Sequence, residues 1–148
     1  MSRTERCLLD IANLLVVGTG IDYAGMKYMM ESADEWAVVN HPWQPHVQHL
    51  HVITAPLLVF AGGLIWKHHV LARLRDNGSD GRLTGLGLAV QFVPMVMSGY
   101  LIQISVSEIW RSVWVGIHLV SSALWIVMAV AHRTRFSESV QPATDANR

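Results

Sequence analysis

Residues 113–131 read VWVGIHLVSSALWIVMAVA and contain no Asp, Glu, Lys or Arg. A helix needs about 20 mostly apolar residues to cross the hydrocarbon core of a bilayer, and helices of soluble proteins normally carry a charged face. The stretch therefore predicts a transmembrane helix. It also holds His118. An ionisable side chain is costly to place in lipid, so a residue of this kind inside a membrane usually has a function.

Three further segments share this apolar character. They are LLDIANLLVVGTGIDYAGMKYMM at 8–30, the segment 50–74 that contains HVITAPLLVFAGGLIW, and LTGLGLAVQFVPMVMSGYLIQI at 83–104. The chain is 51% hydrophobic and 15% charged, whereas soluble domains are about 25% charged. We predict an all-α protein, a bundle of four transmembrane helices at 1–136, followed by a disordered cytoplasmic tail at 137–148.

Charge and cysteine content exclude several classes of function. The formal net charge is zero, which gives no indication of nucleic-acid binding. The single cysteine, Cys7, excludes a disulfide framework, a CxxC redox pair and a thiolate-held iron–sulfur cluster. The expected partner is a lipid bilayer.

Basic residues predict the orientation of the four segments. Arg3 and Arg6 precede the first segment, four more basic residues lie around the second loop, and Arg133 and Arg135 follow the last segment. The first and third loops instead hold Lys27 and Arg111 against Glu31, Asp34, Glu35 and Glu108. By the positive-inside rule both termini are cytoplasmic, and we expect a multi-pass protein of a bacterial inner membrane.

The eight histidines are unevenly placed. Four occur in HPWQPHVQHLHV at 41–52, namely His41, His46, His49 and His51. The others are His68 and His69 near the inner end of the second segment, and His118 and His132 near the two ends of the fourth. Because these two segments run in the same direction, they offer histidines at two levels, one near each membrane face.

Helical spacing refines the choice of ligands. His118 and His132 are 14 residues apart, about 21 Å along a helix and within roughly 40° of one face. His51 and His69 are 18 apart, about 27 Å and five whole turns. Two histidines from facing helices make a six-coordinate haem iron. We predict His51 with His118 as the outer axial pair and His69 with His132 as the inner pair, each between the second and fourth helices.

Two alternatives remain for these ligands. His49 is the substitute for His51, and His68, which points about 100° away from His51, is the substitute for His69. The haems would be non-covalent b haems because the chain has no CxxCH motif. Two are expected, but the two spans differ by roughly 6 Å, which leaves one haem as an alternative. Any single histidine among them is also explained as an interfacial polar anchor.

Four helices with histidines at two levels of two of them resemble the small di-haem membrane cytochromes b. These include bacterial quinol-oxidising cytochromes b and the cytochrome b subunits of formate dehydrogenases and hydrogenases. The similarity covers about residues 8–135, and the matching ligands are His51, His69, His118 and His132. In those families a histidine of the first helix often contributes a ligand, and the first segment here has none. The resemblance implies haem b, quinone exchange and a periplasmic or membrane redox partner.

Other polar residues allow two interpretations each. Asp22 either relays a proton from a quinol or pairs with Lys27. His46, together with His41, lies near a quinone headgroup or a docking surface; with His49 and either His41 or Glu35, His46 instead forms a metal site.

Arg73 and Arg133 either contact haem propionates or anchor the chain by the positive-inside rule. Glycines in three segments either allow close helix packing or leave room for a flat macrocycle.

The predicted function is transmembrane electron transfer by a b-type cytochrome, as a subunit of an oxidoreductase complex rather than a complete enzyme. The alternative is a haem-free membrane protein. It would be an anchor or assembly factor, or a metal-handling protein that uses the 41–51 histidine cluster.

Overall fold

A computed structural model of the chain describes residues 2–32, 34–66, 70–72 and 82–138. These ranges contain four long helices and no strand, which confirms the all-α prediction. We label the helices α1 (Arg3–Tyr28), α2 (Gln44–Ile65), α3 (Arg82–Ile104) and α4 (Glu108–Glu138).

Helix α1 begins before its apolar segment because polar residues satisfy its first turn. The Ser2 hydroxyl accepts a hydrogen bond from the Glu5 N–H, and the Glu5 carboxylate accepts one from the Ser2 N–H. This capping box starts α1 five residues before the predicted segment. Pro45 lies in the first turn of α2, where its missing N–H costs no helical hydrogen bond.

All four helices are long and apolar enough to cross a membrane. Their apolar side chains point largely outward: Leu14 is 74% exposed, Ile53 70% and Val127 65%. In water such faces would be strongly unfavourable, whereas lipid tails solvate them. By length and composition, the chain is a multi-pass membrane protein.

The chain forms two compact units, Met1–His69 and Val70–Arg148. In the first hairpin α1 packs on α2, and in the second hairpin α3 packs on α4. Beside Leu58 and Met95, both hairpins bury several small or hydroxyl-bearing residues. The buried ones include Ala12, Thr19, Thr54 and Ala61 in the first hairpin, and Ser98 and Ser121 in the second. Small side chains let helix backbones approach closely where no water is present to drive association.

Candidate functional site

His118 on α4 is held by two groups of α3. Its Nδ1 lies 3.0 Å from the carbonyl oxygen of Met95 and 3.2 Å from the hydroxyl oxygen of Ser98. Ser98 is 1% exposed, and its hydroxyl donates to the Pro94 carbonyl at 2.6 Å. The Ser98 oxygen therefore presents its lone pairs to the ring.

These contacts determine which nitrogen of His118 carries the proton. A carbonyl oxygen only accepts hydrogen bonds, so the bond to Met95 requires the proton on Nδ1. In the neutral imidazole the other nitrogen, Nε2, then holds a lone pair. That is the form in which histidine binds a metal, and a ligating histidine usually donates its second N–H in this way.

His51 on α2 has the same arrangement in the first hairpin. Its Nδ1 lies 3.1 Å from the Val16 carbonyl oxygen and 3.1 Å from the Thr19 hydroxyl of α1. The Thr19 hydroxyl donates to the Leu15 carbonyl at 2.6 Å. His51 therefore also carries its proton on Nδ1 and its lone pair on Nε2.

His132 repeats part of the pattern near the other end of α4. Its Nδ1 lies 2.9 Å from the Thr84 hydroxyl of α3. Since His118 and His132 both contact α3, the prediction that they share a face of α4 is confirmed. Their partners Ser98 and Thr84 are themselves 14 residues apart, about 21 Å along α3.

A glycine lies beside each of the three rings. A Cβ placed on Gly20 would lie 3.0 Å from Cε1 of His51, one on Gly99 would lie 3.2 Å from Cε1 of His118, and one on Gly85 would lie 3.5 Å from Cε1 of His132. Real Cβ atoms rarely approach as closely as the first two distances. At these positions glycine gives an imidazole room against the backbone.

Other glycines have no such neighbour. A Cβ on Gly18, Gly25, Gly63 or Gly116 would meet no described atom within 4 Å. Close packing of a glycine against a neighbouring side chain is therefore seen beside the histidines, and room for a flat macrocycle remains a prediction.

The two hairpins share short sequence motifs that sequence reasoning missed. Residues 16–20 read VVGTG and 95–99 read MVMSG, while 51–57 read HVITAPL and 118–124 read HLVSSAL. The hydroxyls three residues after each histidine, on Thr54 and Ser121, both donate to that histidine's carbonyl at 3.1 Å. A search for Ser/Thr–Gly pairs together with His-x-x-Ser/Thr would have found both sites.

A groove of about 420 Å³ runs beside the His118 site in the second hairpin. It is lined by Gln91, Pro94, Gly116, Ile117, Val120 and Ser121. Two of these residues belong to the hydrogen bonds described above, since Pro94 accepts from Ser98 and Ser121 donates to His118. The lining of the groove is mainly apolar.

Three predicted site residues, His68, His69 and Arg73, lie outside the described residues. Arg133 follows His132 directly on α4 and is exposed. The inner pair and the propionate contacts remain predictions.

The remaining histidines of the 41–52 stretch lie at the start of α2 and before it. His46 and His49 are exposed, and the His46 ring contacts the edge of Trp43 at 5.8 Å between centroids. His41 accepts a hydrogen bond from the Trp43 N–H at 3.2 Å. Among the described residues, no group of three or more His, Cys, Asp or Glu side chains is arranged to hold a metal ion.

Asp22 is exposed on α1, three residues after Thr19. The predicted alternative partner, Lys27, has its Nζ over the rings of Tyr23 and Tyr28, at 5.7 and 5.5 Å. The ion pair seen among the described residues joins Glu108 and Arg111 instead. A proton-relay role for Asp22 remains a prediction.

Comparison with protein-family models, curated proteins and solved structures finds no significant match to this chain.

Proposed function

We propose that this chain is a b-type cytochrome, an electron-transfer subunit in which His51, His118 and His132 supply Nε2 to haem iron. One observation carries the proposal most directly. At His51 and His118 the Nδ1–H group donates a hydrogen bond to a backbone carbonyl, so the lone pair lies on Nε2 inside an apolar helix pair.

Haem is favoured over a free metal ion by the number of protein ligands that each needs. A zinc ion needs three or four protein ligands. In haem, the macrocycle already supplies four nitrogen ligands to the iron, so the protein adds only one or two histidines. The described residues contain no three-ligand group but place single, oriented histidines on apolar helices. When bound, haem would supply one-electron transfer.

The donor set fits this group in a second respect. Neutral imidazole, rather than a carboxylate or a thiolate, is the ligand type of low-spin electron-transfer haems. The chain holds its histidines in that form by donating Nδ1–H to backbone and hydroxyl oxygens. The groove beside His118, with Gly116 in its lining, offers an apolar surface without a Cβ in the way.

The finer parts of the proposal follow from the sequence. They are the pairing of His51 with His118 and of His69 with His132, two haems per chain, exchange of electrons with quinone, and a redox partner protein at the membrane. Asp22 and His46 are the candidates for proton transfer at a quinone. Arg73 and Arg133 are the candidates for propionate contacts.

Absorption spectroscopy of the purified protein tests the proposal. We expect a red protein with a Soret band, and the His118→Ala variant should lose haem. The matched control is His46→Ala, because His46 is exposed and lies outside the hairpin contact. A colourless protein that takes up no added haemin would refute the proposal and favour a haem-free anchor or metal-handling protein.

A further inference from the structure

We propose that the Ser/Thr–Gly pairs at 19–20, 84–85 and 98–99 are positioning elements for the histidine ligands, in which each hydroxyl is a hydrogen-bond partner of Nδ1 and Gly20 and Gly99 set the rotation of the ring. This inference rests on the proposed function. It adds the residues that would control how strongly each ligand donates to iron.

The distribution of these dipeptides supports the proposal. The full sequence contains three places where Ser or Thr precedes Gly, and each lies against a different histidine. Hydroxyls that serve their own helix need no following glycine. Ser105 and Ser112 donate to carbonyls four residues earlier and are both followed by valine.

The hydroxyl oxygen can accept a hydrogen bond from the histidine because its own proton is already donated to a backbone carbonyl. Thr19 and Ser98 each donate to the carbonyl four residues earlier, at 2.6 Å. Each oxygen then acts as an acceptor and holds the histidine proton on Nδ1. An acceptor at Nδ1 raises the basicity of Nε2, so removing it should weaken the bond to iron and raise the midpoint potential.

The glycine leaves space for the imidazole ring that a side chain would fill. The Cε1 atom lies between the two ring nitrogens, and the Cβ distances at Gly20 and Gly99 are 3.0 and 3.2 Å. A methyl group there would push the ring away from the hydroxyl and the carbonyl at once. At Gly85 the corresponding distance is 3.5 Å, an ordinary contact, so alanine should be tolerated.

The hydroxyl is tested with Thr19→Val and Thr19→Ser. Valine keeps the shape and removes the hydroxyl acceptor, so that only the Val16 carbonyl remains at Nδ1, whereas serine keeps the hydroxyl. We expect Thr19→Val to raise the midpoint potential of one haem, to shift its ferric EPR signal and to weaken haem retention by about 10- to 100-fold. Thr19→Ser should restore all three. A hydroxyl that only stabilised α1 would lower protein yield without moving the potential.

The glycine is tested with Gly20→Ala and Gly18→Ala. Both substitutions lie on α1 two residues apart and gain the same helix propensity. Only the first adds a methyl group against His51, since a Cβ on Gly18 meets no described atom within 4 Å. We expect Gly20→Ala to perturb the EPR signal and the potential, and Gly18→Ala to leave both unchanged.

The outcomes separate this inference from the function that it rests on. Suppose that the parent protein binds haem, that Thr19→Val leaves the midpoint potential unchanged and that Gly20→Ala behaves like Gly18→Ala. The positioning role is then refuted, whereas the proposed cytochrome function is not. If the parent protein binds no haem, the proposed function falls. If Thr19→Val does not fold, the two glycine variants alone decide the matter.

Discussion

The Nδ1 atom of His118 lies 3.0 Å from the carbonyl oxygen of Met95, 23 residues earlier and on the neighbouring helix. A helical carbonyl ordinarily serves the N–H group four residues later, which for Met95 belongs to Gly99. The same oxygen also lies 3.0 Å from the Ser98 hydroxyl, and the missing side chain of Gly99 lets the imidazole reach it. His118 is thus held by the backbone of α3 itself.

Two non-covalent haems per chain are expected from the two histidine levels. A pyridine haemochrome assay against protein concentration measures the number directly. A value of one would mean that a single axial pair is occupied, in line with the roughly 6 Å difference between the two spans. Haem that resists extraction by acidic acetone would contradict non-covalent binding.

Histidine substitution should remove the haems selectively. His118→Ala should lose one haem and His132→Ala the other, because the two residues contact α3 at positions 14 residues apart. Low-temperature absorption spectra and redox titration would distinguish the two losses. His46→Ala should keep both haems. Identical spectra from His118→Ala and His132→Ala would show that the two histidines serve one site.

Topology is expected from the distribution of basic residues. Reporter fusions after Arg82 and at the C terminus should report cytoplasm, and a fusion within 31–48 should report the opposite side. A cysteine-labelling scan of the same loops provides an independent measurement. A C terminus on the outer side would require an odd number of spans and would contradict the matched histidine levels.

Gly87→Ala should destabilise the second hairpin modestly. An added Cβ would lie 2.7 Å from Cε and 3.1 Å from Sδ of Met128, the far end of a flexible side chain. Because methionine can rotate away, we expect a cost of about 1 kcal/mol, at the low end for overpacking. Thermal unfolding in detergent measures it, with Gly63→Ala as the matched control, because a Cβ on Gly63 meets no described atom within 4 Å.

The Met128→Ala background provides a second check on this contact. There the cost of Gly87→Ala should vanish, because the added methyl group no longer meets a side chain. An unchanged cost in the double variant would place the strain elsewhere in the hairpin.

The sequence predicted the helices better than the contacts between them. Absence of charge over 113–131 was enough to predict α4, and the 14-residue spacing was enough to place His118 and His132 on one face. The hydroxyl partners were missed because they are tertiary: Thr19 lies 32 residues from His51, and Thr84 lies 48 residues from His132. The periodicity of apolar residues within one helix does not show which residues of a neighbouring helix it contacts.

The first helix illustrates the same limit. Because its segment has no histidine, sequence reasoning gave α1 no part in ligand binding. In the structure α1 provides the Thr19 hydroxyl and the Val16 carbonyl that hold His51. A helix can thus shape a histidine site without contributing a ligand.

Helix α4 is longer than the hydrocarbon core of a bilayer is thick. Its 31 residues measure about 46 Å, whereas the hydrocarbon core is about 30 Å thick. Even a tilt of about 40°, the upper end for membrane helices, leaves roughly 35 Å along the membrane normal. Part of α4 therefore extends beyond the hydrocarbon core, so at least one end of the helix lies among the lipid headgroups or in water.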